Sequence, residues 1–201
     1  MFDFITGWID RGGLPMVGLL MVLENVFPPI PSELIMPLAG FNAARGDMSI
    51  AAVVVVGALG SVLGCLLWYW LARAWGRERF LRFIDRHGMW LTLTREEAEG
   101  AMRWFDRYGA LAVLVGRMIP TVRTLIAVPA GLAGMGLLPF ILYATISGLA
   151  WTGLLAGAGY LLQDQYERVE AWLNPVTTAV VVGIVGLYLF RLVRGLANRR
   201  A

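Results

Sequence analysis

The sequence predicts an all-α polytopic membrane protein, an inverted repeat of a re-entrant helical hairpin and a transmembrane helix, with an extra C-terminal transmembrane helix. Three observations lead to this fold class. Of the 201 residues, 58% are hydrophobic and only 15% are charged, so a water-soluble fold of this size could not bury its apolar surface. Long uncharged stretches alternate with stretches that prolines interrupt. The interrupted stretches occur twice, and we expect residues 1–201 to form a single membrane domain.

The first proline segment, residues 14–44, is apolar but carries Pro28, Pro29 and Pro31 close together. A proline inside a helix removes a backbone hydrogen bond and clashes with the preceding turn, at a cost of about 3 kcal/mol or more. Broken backbone at membrane depth is tolerated only where protein or a water-filled cavity satisfies its polar groups. We therefore predict a re-entrant hairpin, with one helix in, a break at these prolines, and one helix out.

The stretch that follows, residues 49–72, carries no charged residue and is long enough to cross a bilayer as a helix. Gly57, Gly60 and Gly64 lie about one helical turn apart. Small residues at such spacing let helices in lipid approach closely. We expect a transmembrane helix here, with these glycines at a contact between helices.

The connector, residues 73–108, is rich in arginine, which indicates the cytoplasmic side of the membrane. Aromatic and aliphatic residues alternate with the arginines of its first half, a pattern typical of an amphipathic helix at the membrane surface. Thr94 and Glu97 have the spacing of a capping box, which predicts the start of a second helix running toward Tyr108.

The second proline segment, residues 109–136, resembles the first. Pro120 and Pro129 are nine residues apart, as are Pro28 and Pro37. We predict a second re-entrant hairpin with its break at Pro120. A hairpin plus one transmembrane helix crosses the membrane an odd number of times, so the second copy must be inverted. Paired broken segments in two inverted halves indicate a transporter-type binding site.

Two further transmembrane helices are predicted, at residues 137–162 and 175–193. The first again has glycines about one turn apart, which predict close packing: Gly148, Gly153 and Gly157. The loop between the two helices, residues 163–174, is acidic, whereas the C-terminal tail carries arginines and no acid. This asymmetry places the C-terminus in the cytoplasm, and the two hairpins then enter from opposite faces.

Four charged residues lie inside the two proline segments: Glu24, Glu33, Arg117 and Arg123. Each charge at the bilayer centre costs roughly 2.5–3.5 kcal/mol on insertion scales, or about 10 kcal/mol for four before any pairing. Their opposite signs indicate mutual pairing or a shared polar cavity. Two interpretations stay open at this point. The charges are ion pairs that hold the hairpins together, or the arginines bind a phosphate-like anion while the acids carry protons.

The sequence shows no catalytic signature. His87 is the only histidine and Cys65 the only cysteine, which removes Ser-His-Asp triads and metal centres rich in histidine or cysteine. We therefore predict a protein that is not an enzyme, without a catalytic site, a metal site or a cofactor, and we expect Cys65 to be a packing residue. The arginines flank apolar spans, so the basic charge does not indicate a nucleic-acid partner.

Three stretches resemble the DedA family, also called the SNARE-associated or VTT-domain family. They are LENVFPPIPSELIMPLAG at 23–40, GSVLGCLLWYWLARAWGR at 60–77 and GRMIPTVRTLIAVPAGLAGM at 116–135. The resemblance implies a multi-pass protein of the bacterial inner (plasma) membrane with two opposed re-entrant hairpins. It also implies a part in lipid movement across bilayers, including undecaprenyl phosphate recycling, and a link to the proton motive force.

The resemblance further implies which residues function. The two essential acids of the family match Glu24 and Glu33, and its two essential arginines match Arg117 and Arg123. This sequence departs from some members, in which the second acid is an aspartate in a Gly-Asp-Ser context.

The function predicted from the sequence is therefore membrane lipid transport of the flippase or scramblase type. The expected substrate is a phosphate-headed, anionic membrane lipid such as undecaprenyl phosphate, with protons as a coupling partner. The alternatives are a proton-coupled small-ion antiporter and a non-transporting membrane assembly factor. A membrane phosphatase or lipid hydrolase is disfavoured, because no nucleophile with a base or metal cluster is present.

Overall fold

The computed structural model of the protein describes residues 2–26, 31–91, 94–119, 122–162 and 186. Every regular element in these ranges is an α-helix, which confirms the all-α class. In chain order the helices are α1 Phe2–Val26, α2 Ser32–Ala44, α3 Ile50–Trp75, α4 Arg77–Leu91, α5 Arg95–Tyr108, α6 Ala110–Arg117, α7 Ala127–Leu132 and α8 Leu137–Leu161. The predicted loop 163–174 lies outside the described residues, as does the predicted helix 175–193 apart from its one described residue.

The first proline segment contains two separate helices that pack on each other. α1 is kinked at Gly13, whose φ of 55° and ψ of −145° are not helical, so the straight part of α1 begins where this segment begins. A side chain at that φ would be strained, which favours glycine. α1 ends at Val26, and extended Pro31 precedes the first residue of α2. Pro28 and Pro29 lie outside the described residues.

The second proline segment is also interrupted. α6 ends at Arg117, and the chain then turns until α7 begins at Ala127. Arg123 lies within this non-helical stretch, where its backbone N–H donates to the carbonyl oxygen of Ile119 at 2.9 Å. Pro120 lies outside the described residues.

The helices of the two proline segments pack around a central pair of long helices, α3 and α8, and each segment contacts both of them. α3 and α8 contact each other, and they are the two described helices that are long and apolar enough to cross a membrane. The first helix of each proline segment packs on the long helix that follows it, α1 on α3 and α6 on α8. The second helix packs on the other long helix, α2 on α8 and α7 on α3. Each long helix therefore touches helices of both segments, and α3 also contacts α2.

Glycines allow several of these contacts to be backbone against backbone. A Cβ atom at Gly60 of α3 would collide with the carbonyl of Gly18 in α1. At Gly157 of α8 a Cβ would meet nothing within 4 Å among the described residues, so the predicted contact is not seen there. The close contact of α8 is instead at Gly159, where a Cβ would collide with the Pro37 carbonyl of α2.

The outer surface of the long helices is strongly apolar. Their exposed side chains include Leu59 at 53%, Leu63 at 59% and Leu138 at 78% exposure. Soluble monomers rarely expose contiguous apolar surface on this scale. Together with the length of α3 and α8, this surface indicates that lipid surrounds the molecule.

The connector forms two helices, as expected. The capping box at the start of α5 is confirmed: the backbone N–H of Glu97 donates to Thr94 Oγ1 at 3.2 Å, and the Thr94 N–H donates to Glu97 Oε2 at 2.9 Å. An ion pair of 2.6 Å between Arg95 and Asp85 joins α5 to α4. The apolar side chains of both helices pack with those of α3 and α7 in one cluster, which includes Met102 and Leu132.

Candidate functional site

A cluster of polar side chains is buried where the proline segments meet the long helices. We call it the buried polar cluster. Its members are Glu24 and Asn25 of α1, Ser61 and Cys65 of α3, Arg117 of α6, Arg123 of the stretch before α7, and Ser147 of α8. The side chains of Glu24 and Arg123 are at most 4% exposed, and residue Arg117 is 2% exposed.

Arg123 and Glu24 form an ion pair between the two proline segments. Nη2 of Arg123 donates to Oε1 of Glu24. The Cζ atom of Arg123 also lies 5.2 Å from the ring centre of Trp151 in α8, within cation–π range. Nε and Nη1 of Arg123 are buried and have no hydrogen-bond partner among the described residues. Buried N–H groups of a charged side chain are rarely left unpaired.

Arg117 is held in a different way, by three neutral side chains. Its Nε donates to Ser147 Oγ at 3.0 Å and its Nη2 to Ser61 Oγ at 2.8 Å, while Nη1 donates to Cys65 Sγ. In the described part of the chain no carboxylate pairs with this guanidinium. The expectation that Cys65 is only a packing residue is therefore wrong, because its sulfur accepts from a buried cation.

Asn25 connects the surroundings of the two arginines. Its Nδ2 lies 3.4 Å from Glu24 Oε2, 3.3 Å from Ser61 Oγ and 3.0 Å from the Met21 carbonyl. An amide nitrogen has two hydrogens, so it serves two of these acceptors at a time. Cys65 Sγ donates to Asn25 Oδ1 at 3.0 Å. A continuous polar network thus runs from Arg123 through Glu24, Asn25 and Ser61 to Arg117.

Glu33 stands apart from this network. It lies in the first turn of α2, is half-buried, and accepts from Ser32 Oγ at 3.5 Å. It forms no ion pair with a residue in the described ranges. Ser32 Oγ also accepts from Trp151 Nε1 at 3.3 Å, so Glu33 is two hydrogen bonds away from the ring that faces Arg123. Pairing between the segments is observed for Glu24 with Arg123, and in the described ranges neither Glu33 nor Arg117 forms an ion pair.

The charges of the buried polar cluster do not cancel. It contains two guanidinium groups and one carboxylate, which leaves one net positive charge when all three are ionised. Within the described ranges, no group of three or more His, Cys, Asp or Glu side chains could hold a metal ion. A buried, net positive cluster with N–H groups to spare is suited to bind an anion.

The neutral members of the cluster were missed by the sequence reasoning. Asn25, Ser61 and Ser147, together with Trp151 next to the cluster, lie in apolar helices. The signal that could have identified Asn25 is its position next to Glu24. A charged side chain in an apolar segment needs polar neighbours to bind it.

Comparison with known proteins gives a family and several close relatives. The VTT domain matches residues 27–161. The undecaprenyl phosphate transporter A of Staphylococcus aureus is 32% identical over 200 residues, which cover 100% of this chain and 98% of that protein. The protein of the same name in Bacillus subtilis is 28% identical over 92% of this chain and 90% of its own length.

A third relative has a different kind of name. An alkaline phosphatase-like protein of Lactococcus lactis subsp. cremoris is 36% identical over 94% of this chain and 92% of its own length. No solved structure matches the chain. The VTT domain covers more than half of the sequence, and the segment it matches contains three of the four charged residues predicted as the site. The protein therefore belongs to the VTT-domain family of membrane proteins, the DedA family.

Proposed function

We propose that this protein transports a phosphate-headed lipid across the membrane, that Arg123 binds the phosphate group, and that Arg117 supplies positive charge beside it. The observation that carries the proposal is the buried guanidinium of Arg123, which has two nitrogens without a partner among the described residues, inside a cluster of net positive charge. A buried arginine without enough acceptors is costly, and an anion from the membrane would satisfy it.

The geometry of Arg123 indicates how a phosphate would compete with Glu24. A guanidinium offers two edges for two-pronged binding, Nε with Nη2 and Nη1 with Nη2, and the two edges share Nη2. Glu24 occupies Nη2. Nη2 carries two hydrogens, one on each edge, so a phosphate can bind along the edge that Glu24 leaves free. A phosphate that takes the edge used by Glu24 displaces this carboxylate.

Displacement of Glu24 by the phosphate would give protons a role in transport. A Glu24 carboxylate displaced from Arg123 would remain buried with Asn25 as its neighbour. A buried carboxylate without a cation is unfavourable, so proton uptake by Glu24 would accompany phosphate binding. The proposal thus includes proton-coupled transport with Glu24 as the proton acceptor.

The exchange of helix partners supports the predicted inverted repeat. The contacts of α1 with α3 and of α2 with α8 have counterparts in those of α6 with α8 and of α7 with α3. A two-fold relation between the segments produces such a pattern, and it would bring two re-entrant hairpins together from opposite faces. The names of the relatives from Staphylococcus and Bacillus favour undecaprenyl phosphate as the lipid.

The test is transport by the purified full-length chain in vesicles. We expect movement of labelled undecaprenyl phosphate between the leaflets, with little movement of labelled phosphatidylcholine, and loss of the former in Arg123→Ala. Ion flux and release of inorganic phosphate are measured in the same vesicles. Ion flux without lipid movement would identify the antiporter alternative, and phosphate release would support the activity named for the Lactococcus relative. Inactivity in all three assays would favour an assembly factor.

A further inference from the structure

One aromatic residue outside the predicted site contacts the proposed phosphate-binding arginine. Trp151 lies in the middle of α8, and its ring faces the Arg123 guanidinium at 5.2 Å. The indole is half-buried, and its Nε1 donates to Ser32 Oγ in α2 at 3.3 Å. This hydrogen bond fixes the plane of the ring, and the ring in turn fixes where the guanidinium lies.

Arg123 has few other contacts that could hold its guanidinium in place. Among the described residues, Glu24 is its single hydrogen-bond partner and Trp151 its single cation–π partner. Arg117 differs in this respect, because three side chains hold it. Removal of Glu24 from Nη2 would therefore leave the indole as the remaining restraint on Arg123.

We infer that Trp151 is a positioning residue that keeps Arg123 in place while its acidic partner is exchanged for the substrate phosphate. The inference rests on the proposed function. A ring face attracts a cation without using any of its N–H groups, so Trp151 leaves every donor of Arg123 available to the phosphate. An acidic side chain in the same place would hold the guanidinium as well but would occupy those donors.

The role of Trp151 also depends on Ser32. Without an acceptor for its N–H, the indole can rotate and offer its edge to the cation, and the edge of an aromatic ring carries the wrong sign of charge. Ser32→Ala should therefore reproduce part of the defect of a Trp151 substitution. Combining Ser32→Ala with Trp151→Phe should add little, because phenylalanine has no N–H to anchor.

The experiment measures binding of farnesyl phosphate to the purified full-length chain in detergent, together with its melting temperature. Inorganic phosphate serves as the headgroup alone and farnesol as the tail alone. The variants are Trp151→Leu and Trp151→Met, which remove the ring, Trp151→Phe, which keeps a ring face, and Ser32→Ala. Trp70→Leu is the matched control, since within the described part of the chain Trp70 is exposed and makes no cation–π contact with an arginine of the cluster.

We expect Trp151→Leu and Trp151→Met to weaken binding of farnesyl phosphate about tenfold or more, within the range of a desolvated cation–π contact. Trp151→Phe should retain most of the affinity for farnesyl phosphate, because it keeps a ring face. Farnesol binding should be the same in all variants, and Trp70→Leu should bind farnesyl phosphate as the wild type does. If Trp151→Leu does not fold, Trp151→Met and Ser32→Ala decide the question.

Three results would overturn the inference, and they are distinguishable. Wild-type affinity in the ring-free variants would show that Trp151 does not position Arg123, while the proposed function stands. Failure of the wild-type protein to prefer farnesyl phosphate over farnesol would remove the proposed function and the inference together. Equal losses for leucine, methionine and phenylalanine would assign Trp151 to packing.

Discussion

At the scale of single residues, the two buried arginines differ in what they have left to offer. Arg117 uses Nε, Nη1 and Nη2 on three neutral side chains. Arg123 uses Nη2 alone, and its other two nitrogens have no partner in the described part of the chain. We therefore regard Arg123 as the primary contact of the phosphate and Arg117 as a fixed source of positive charge beside it.

This difference predicts that substitution by lysine lowers lipid affinity at Arg123 but lowers stability at Arg117. Arg123→Lys keeps a charge that can pair with Glu24 but loses the planar, two-pronged edge. We expect a near-normal melting temperature and phosphate-lipid affinity about tenfold lower or more, equivalent to roughly 1.4 kcal/mol. Arg117→Lys should instead destabilise the protein, because a buried group left without its partner costs about 1–3 kcal/mol. Binding and thermal unfolding are measured on both variants, and identical behaviour would contradict the assigned roles.

The net charge of the cluster depends on Asn25. Asn25→Asp changes the shape of the side chain very little but adds a second carboxylate, placed between Glu24 and the serine that binds Arg117. We expect the phosphate-lipid affinity to fall about tenfold or more above the pH at which this carboxyl ionises, and to recover as the pH is lowered. Asn25→Ser is the neutral control. Affinity that does not change with pH in Asn25→Asp would show that net charge does not select the substrate.

The sequence was sufficient to locate Glu24, Arg117 and Arg123, because a charge in an apolar segment is expensive and therefore conspicuous. It could not show that Glu33 would stay outside the network, since that depends on how α2 packs on α8. Nor could the sequence show that Cys65 and Ser147 bind the Arg117 guanidinium. Serine in a helix commonly bonds its own backbone, as Ser147 does with the Tyr143 carbonyl at 2.8 Å, so its contact with Arg117 leaves no trace in the pattern.

At the scale of helices, α2 and α8 touch backbone to backbone at two glycines, with no side chain between them. A Cβ at Gly40 of α2 would collide with the Ala156 carbonyl of α8, and one at Gly159 of α8 with the Pro37 carbonyl of α2. Each helix therefore presents one glycine to the backbone of the other. Prolines and glycines of this kind are tolerated in membrane helices where a neighbouring helix packs against them.

We predict that Gly40→Leu and Gly159→Leu lower the melting temperature strongly, because neither helix can move aside without losing the other contact. Overpacking of this kind costs typically about 1–3 kcal/mol and more against backbone. Gly157→Leu is the control, since a Cβ there meets nothing within 4 Å. The measurement is thermal unfolding in detergent. A Gly157 variant as unstable as the other two would show that the backbone contacts at Gly40 and Gly159 do not explain the loss, since leucine is the better helix former.

At the scale of the whole molecule, orientation in the membrane follows from the charges that flank the apolar stretches. The acidic loop 163–174 is expected outside and the arginine-rich tail inside. We predict that a cysteine at position 174, in a Cys65→Ser background, reacts with an impermeant reagent added to intact cells. A cysteine at position 198 should react only after the membrane is opened. Labelling of both positions in intact cells would contradict the inverted orientation of the hairpins.

The exchange of partners between the two proline segments limits how the molecule can open. α2 belongs to the first segment but packs on α8, and α7 belongs to the second segment but packs on α3. Each half of the molecule therefore has one helix packed against the long helix of the other half. Pulling the halves apart would break three contacts between helices, those of α2 with α8, α7 with α3 and α3 with α8. Lipid offers no replacement for the backbone contact of α2 with α8. We therefore expect the route of a headgroup to open by small rotations of the broken segments around Arg123, while α3 and α8 stay together as a fixed axis.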